Sequence, residues 1–302
     1  MLRYCPEKGQ HKMSKASFLF RVLRAYLERQ DKTCPYCDNG DTRVTGRKYL
    51  ILQLRKCAVC NLMFRWPKDT PEFNKSFYQD TYQQVGLTTE LPSLESLEKL
   101  VASNFRGTEK DFSEQIAVLK ELVPEGRALD FGCSWGYASF QLQQAGYDVI
   151  GFEISKPRAA FGRNYLRANI LDEYDSLDRF RNSFDVIFSS HVLEHLPNFK
   201  GVFERFGALL KPEGILLLFV PNCGGENAAR LGVRWGPMVC EKHPQALDRN
   251  FFETILPKHG FAVKTFSEPY DPKEIGLCVS KSITPHEPRG DELMVYARKM
   301  TN

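Results

Sequence analysis

Long apolar runs are what this chain most plainly lacks. The longest, Ile215 to Val220, holds six residues, against the roughly 18 a membrane-spanning helix requires, so a membrane span is excluded. No secretory signal is legible ahead of the nine cysteines, which argues against a disulfide framework and for a cytoplasmic protein. Strong charge of one sign is also missing, since the net charge is only +4 over 302 residues. It is unevenly spread, however: residues 1–68 carry 15 Lys and Arg against 5 Asp and Glu, a net of +10, leaving −6 for the rest. A basic module on an acidic body would suit an anionic substrate or a phosphorylated carrier, although solvated surface charge accounts for it as well. With 42% apolar residues, the chain can build one sizeable α/β domain and a small module beside it.

The most informative stretch is Arg127 to Gly136, RALDFGCSWG. It reads as a buried strand ending in Asp130, a tight turn bounded by Gly132 and Gly136, and a helix from about Tyr137 to Gly146. Glycines there let a ligand approach the backbone, with the turn's amides and the helix N-terminus facing it. The next apolar run, Tyr147 to Phe152, ends in Glu153, 23 positions after Asp130, where a carboxylate can take both hydroxyls of a ribose. The spacing Gly132-Cys133-Ser134-Trp135-Gly136 is not the G-x-G-x-x-G of a dinucleotide site. It also spells G-x-S-x-G, the nucleophile elbow of α/β-hydrolases, but an elbow serine needs several strands before it, and the upstream residues are a cysteine-rich module and polar helices. A tight turn that binds nothing is the plain alternative.

With these residues the chain resembles the class I S-adenosylmethionine (SAM)-dependent methyltransferases, whose first motif runs D-x-G-x-G-x-G with an acid closing the second strand. The resemblance continues in Ser183–Leu196, SFDVIFSSHVLEHL, and in Leu209–Asn222, LLKPEGILLLFVPN, which are similar to the fourth- and fifth-strand motifs of the ubiquinone and sugar methyltransferase group. Three motifs in the family's order over roughly 175 residues carry it. One departure is Ser134 in place of the middle glycine. The resemblance implies an α/β, Rossmann-like seven-stranded sheet of strand order 3-2-1-4-5-7-6 with the last strand antiparallel. It implies SAM contacts at Asp130, Phe131, Gly132, Cys133, Gly136, Glu153 and Ser190, with the methionine end on Asp130, Gly132 and Gly136 and the ribose on Glu153. An adenine-contacting acid is expected near Asp172.

Cys34, Cys37, Cys57 and Cys60 follow C-x2-C, 19 residues, C-x2-C, the spacing of a structural four-cysteine zinc site. Two thiolates per turn aim at one point, and the ion ties down a segment too short to make its own core. Cys34-Pro35-Tyr36-Cys37 alone resembles a glutaredoxin redox motif, but the matched second pair speaks against it. A zinc ribbon on a basic segment could bind nucleic acid. The segment is similar to the ribbon preceding the catalytic domain in many bacterial methyltransferases of sugar and polysaccharide gene clusters. Cys5, Cys133, Cys223, Cys240 and Cys278 have no ligand spacing and read as packing residues.

In chain order, the expected domains are an amphipathic helix within 1–30, the ribbon at 31–82, linker helices at 83–123 and the catalytic core at 124–302. Ser17 to Arg29 places Phe18, Leu19, Val22, Leu23, Tyr26 and Leu27 on one helical face, expected to dock on the protein itself or a sister subunit, with a membrane surface or a targeting role as alternatives. Later helices and strands are expected at Lys156–Leu166, Ala168–Leu171, Asp185–Ser189, Phe261–Ser267 and Leu293–Ala297. Strand four delivers Ser190 and His191 to the carboxyl edge, where open α/β sheets bind ligands. His191-Val192-Leu193-Glu194-His195 matches the H-x-x-E-H of inverted zinc proteases, a poor fit at a strand end. Some ubiquinone-type O-methyltransferases bind a divalent cation through E-x-x-E-H here; with His191 in first place, magnesium, which prefers oxygen, is in doubt and a pocket wall is the simpler expectation. Residues 223–246 read as a substrate loop, with His243 facing the cavity or capping a helix. The expected activity is SAM-dependent methylation of a small molecule, a sugar or sugar conjugate before a quinone, with His191, His195 or His243 as base. A nucleic-acid modifier and a binding protein with a dead pocket are the competing classes.

Overall fold

The computed structural model describes residues 15–69, 90–196, 200–240 and 243–301; Cys5 and the expected helical start at 83–89 lie outside them. Helix α1 (Lys15–Leu27) leads into a hairpin of β1 (Thr42–Lys48) and β2 (Leu52–Cys57), to which β3 (Met63–Trp66) adds antiparallel. Helices α2 (Leu94–Ala102) and α3 (Ser113–Leu122) follow. The chain then alternates β4 (Arg127–Phe131), α4 (Tyr137–Gln144), β5 (Asp148–Phe152), α5 (Lys156–Phe161), β6 (Ile170–Leu171) and β7 (Phe184–Ser190). It continues through α6 (Val202–Leu209), β8 (Leu210–Pro221), α7 (Glu226–Leu231), β9 (Gln245–Ala246), α8 (Arg249–Ile255), β10 (Phe261–Ser267), α9 (Pro272–Ser280) and β11 (Glu292–Lys299).

Seven of these strands form one mixed sheet in the order β6-β5-β4-β7-β8-β11-β10. Read from β4 outward this is 3-2-1-4-5-7-6, and β11 runs antiparallel to both its neighbours, as expected. The parallel strands are apolar on both faces because helices cover both. Leu129, Phe131, Ile150, Phe152, Ile187, Leu216, Leu218 and Val295 point to one side, among the residues of α6 and α8. Ala128, Val149, Val186, Phe188, Leu217 and Met294 point to the other, against α3, α4 and α9. The helix begun at Lys156 passes at Gly162 into a π-helical turn and ends at Leu166 as expected, and β8 begins at Leu210.

The four-cysteine segment is packed into this architecture. Cys34, Tyr36, Cys57, Cys60 and Phe64 belong to the same buried cluster as Phe203, Phe206 and Phe251, with the Tyr36 ring edge-on to Phe251 at 5.3 Å and its hydroxyl 2.6 Å from His259 Nε2. The later part of the chain also donates β9 to the edge of β3, giving a four-stranded sheet β1-β2-β3-β9. Its other face buries Leu52, Leu54 and Met63 against Val22, Trp235, Met238 and Val239, so the 223–246 segment lies against the ribbon. Lys48 Nζ donates to the Val239 carbonyl at 2.8 Å, and buried Arg65 to the Cys240 carbonyl at 2.9 Å.

The expected single apolar face of α1 is corrected. Val22 and Ala25 are buried against the ribbon and the Tyr26 ring stands edge-on to Trp66 at 4.5 Å, whereas Leu23 and Leu27 are exposed along with Phe20. At about 100° per residue Leu23 stands about 100° and Leu27 about 140° from Val22, so no single docking line takes both sets.

Candidate functional site

The tips of β4 and β5 carry the two predicted acids side by side, because the strands pair in parallel with Asp130 opposite Gly151 and Phe131 opposite Phe152. Asp130 is buried, and its Oδ2 accepts from Ser139 Oγ at 2.6 Å in the first turn of α4. Burial pushes its carboxyl up to about 7; the Ser139 hydrogen bond works against this and the nearby Glu153 charge adds to it. Glu153 is raised too, chiefly by burial, while the Ser155 amide, the Arg158 charge and the Ser134 amide favour its anion. Its Oε1 accepts from the Ser155 amide at 2.7 Å and its Oε2 from the Ser134 amide at 3.0 Å.

The intervening turn is left-handed at Gly132 (φ 81°), Ser134 (φ 51°) and Gly136 (φ 87°). Within the turn Gly132 and Cys133 both donate to the Phe152 carbonyl, and Gly136 to that of Cys133. Buried amides must find partners, and here the chain supplies them. Val192 lies over Gly132, where an added Cβ would stand 2.3 Å from Val192 Cγ2, so only glycine fits this position. Phe131 stacks on Phe152 at 5.2 Å, Cys133 is buried, and Ser190 is half-buried at the end of β7. Asp172 pairs with Arg163 at 2.9 Å just after β6. The acids still fit a cationic ribonucleoside cofactor such as SAM. Two carboxyl groups raised by burial gain from an adjacent cation, and the buried Trp135 Nε1 and Ser155 Oγ, both lacking hydrogen-bond partners, lie in the same loops.

Beyond β7 the chain places four of the predicted polar groups together. His191 adopts φ 54°, an uncommon conformation for a non-glycine residue. Its Nε2 lies 2.7 Å from Glu292 Oε2 and its Nδ1 3.3 Å from Glu194 Oε1. Burial would lower the imidazole, but these two carboxylates outweigh it and raise His191 to about 10, so it holds its proton at neutral pH. Glu194 is 2% exposed. Burial would raise it, yet His191 and the charges of His195 and His243 bring it to about 2. The His195 and His243 rings meet edge to face at 4.6 Å. Burial opposes protonation of His243 as well, but Cys240, Glu194 and the Pro237 carbonyl raise it to about 9.

Glu292, Tyr270 and Cys240 belong to this network without any sequence signal. Tyr270 donates to Glu292 Oε1 at 2.8 Å, and Glu292 reaches His191 because antiparallel β11 sets it opposite Pro221 at the carboxyl end of β8. The one available clue was a glutamate at the mouth of an apolar strand.

Past β8 a cavity of about 220 Å³ is lined by Asn222, Gly224, Asp248, Arg249, Asn250, Glu253, Glu287 and Pro288. Asn222 holds its rim, accepting from the Gly224 amide and donating to the Pro288 and Gly290 carbonyls. At the ribbon, the sulfurs of Cys34, Cys37, Cys57 and Cys60 all lie within 4.8 Å of one another, with closest approaches of 3.4 and 3.5 Å. A tetrahedral zinc with Zn–S of about 2.3 Å sets its sulfurs roughly 3.8 Å apart, so the donor set fits that ion.

No helix among the described residues is long and apolar enough to cross a membrane. The family model described as "Methyltransferase domain" matches residues 106–265, more than half of the chain. The chain is 27% identical over 207 residues to cyclopropane-fatty-acyl-phospholipid synthase of Escherichia coli K12, covering 67% of this chain and 50% of that protein. It is 28% identical over 126 residues to a ubiquinone biosynthesis O-methyltransferase of Bradyrhizobium diazoefficiens, covering 37% and 48%. The chain thus spans about half the length of these curated relatives. Among solved structures, the plantazolicin methyltransferase BpumL in complex with SAH is 14% identical with a TM-score of 0.47, covering 76% of this chain and 96% of that one. With the sheet order, the paired acids and the family match together, the chain belongs to the SAM-dependent methyltransferases.

Proposed function

We propose that this methyltransferase acts on a hydroxyl-rich small molecule, a sugar or sugar conjugate, with the ribbon as a zinc-bound support for its substrate loop. The observation that carries the acceptor class is the cavity beyond β8. Its lining is almost wholly amide, carboxylate and guanidinium, and Asn250 and Glu253 offer oxygens to a ligand's hydroxyl groups. A quinone or an acyl chain would strip those groups of water without replacing their hydrogen bonds. The ribbon's role rests on the contacts of β9, Arg65 and Lys48 with the 223–246 segment, which carries His243 toward Glu194.

Bound SAM supplies an already activated methyl, so the protein's task is alignment of the acceptor and exclusion of water. In a transfer to oxygen the cofactor would supply the methyl and its sulfur would keep the bonding pair, leaving this chain to align the acceptor and to let the acceptor proton pass to a base or water. Asp130 holds the positive methionine end and Glu153 the ribose. His191, which keeps its proton between Glu194 and Glu292, serves as a fixed positive group, and His243, raised to about 9, is likewise protonated at neutral pH, so neither takes the acceptor proton. The test is incubation with methyl-labelled SAM and nucleotide sugars, quinols and RNA in parallel. Label in a sugar supports the reading; label in quinol or RNA alone refutes it.

A further inference from the structure

Helix α5 carries a buried cation toward the acid pair. Arg158 is 1% exposed, and its Nη1 donates to Ser134 Oγ at 3.0 Å. Ser134 is itself buried and adopts φ 51°, a left-handed conformation that glycine takes without strain and serine takes rarely. Its amide donates to Glu153 Oε2 at 3.0 Å, so one serine joins the guanidinium to the carboxylate at the tip of β5. We infer that Arg158 is a positioning residue for the cofactor: through Ser134 and by its charge, it aims the Glu153 carboxylate and keeps it an anion for the ribose hydroxyls. This rests on the reading of Glu153 as the ribose-binding acid.

The surrounding charges show why a cation is needed here. Burial raises the Glu153 carboxyl, and the Ser155 amide, the Arg158 charge and the Ser134 amide oppose it. Of these three only Arg158 brings a full charge. From the other side Asp130 at the tip of β4 and Cys133 in the turn face Glu153, each raised first by burial and then by neighbouring negative charge, that of Glu153 included. Two acids at adjacent strand tips disfavour one another's ionisation, and Arg158 offsets this for Glu153. Lys110, between α2 and α3, is lowered by its burial and also by the charge of Arg158, with Glu109 and Glu90 opposing. Arginine suits the position because it keeps its proton when buried, where lysine readily gives its proton up.

The experiment compares, by calorimetry on the full-length protein, the affinities of S-adenosylhomocysteine and of its analogue lacking both ribose hydroxyls. Neither ligand carries the sulfonium charge, so the preference between them reads the grip on the ribose alone. At about pH 7 the wild type is expected to prefer the hydroxylated ligand by at least about tenfold, and Arg158→Met by about threefold or less. With the cation gone the Glu153 carboxyl rises further, so its anion, and with it the preference, should return in Arg158→Met as the pH is raised to about 9. A merely structural arginine would weaken both ligands alike; a tenfold preference kept by Arg158→Met at every pH overturns the inference. Should that variant not fold, Ser134→Gly carries the test, since it removes the oxygen that Arg158 grips and suits the left-handed turn: a reduced preference supports the inference, an unchanged one refutes it. Glu153→Ala separates the two readings. A wild type without the preference, or a Glu153→Ala that keeps it, ends the ribose role of Glu153 and this inference with it; a preference lost in Glu153→Ala but kept in Arg158→Met ends only the role of Arg158.

Discussion

Asp130 offers the sharpest test of the cofactor site. Burial holds its carboxyl at about 7, so it is largely protonated at pH 5 and ionised at pH 8. SAM carries a net positive charge, and only the aspartate anion gains from it; at acid pH the proton must first leave, which costs about 1.4 kcal/mol per unit below the pKa. The apparent Kd for SAM is therefore expected to rise about a hundredfold from pH 8 to pH 5. Asp130→Asn should flatten that dependence and weaken binding at pH 8 by at least about tenfold, roughly 1.4 kcal/mol. Calorimetry in buffers of different ionisation enthalpy should show proton release near pH 6. The ligand-free protein behaves in the opposite sense. A carboxyl raised above its unfolded value adds stability that is complete below about pH 4 and lost as pH rises through about 7. The melting temperature of the wild type relative to Asp130→Asn should accordingly fall over that range. Affinity that does not vary with pH, or the same slope in the asparagine variant, would refute the placing of the cation beside Asp130.

Other substitutions probe the remaining parts. Glu153→Ala should weaken SAM binding by at least about tenfold, and unchanged calorimetric affinity would remove its ribose role. Cys57→Ser should lose the ribbon zinc and lower the melting temperature in one transition, because Tyr36 and Phe64 share the main core; a separate ribbon transition with full activity would show an independent module. On α1, Val22→Asp should destabilise by about 2–4 kcal/mol, while Leu23→Asp, on the exposed face, should change stability by less than about 0.5 kcal/mol, both read by denaturant unfolding.

Strand positions were legible because they rest on local pattern, whereas their order in the sheet was what the family resemblance implied. A buried run such as Arg127–Phe131 must be a covered strand, and the acids at Asp130 and Glu153 follow from where such runs end. The cysteine pairs were legible for the same reason, since their spacing alone brings four sulfurs together. The docked face of α1 was not, because Leu23 and Val22 are equally apolar and only the ribbon's shape chooses between them.

By itself, then, short-range periodicity and spacing determined where the first core strands end, the carboxylates at two of those ends and the pairing of the four cysteines, while the seven-stranded sheet was what the family resemblance implied. Only the tertiary structure decided that β9 joins the ribbon sheet, that Glu292 clamps His191 and that His243 reaches Glu194. Those pairings join residues tens to hundreds of positions apart, and what selects them is the burial of surfaces whose partners no local pattern names.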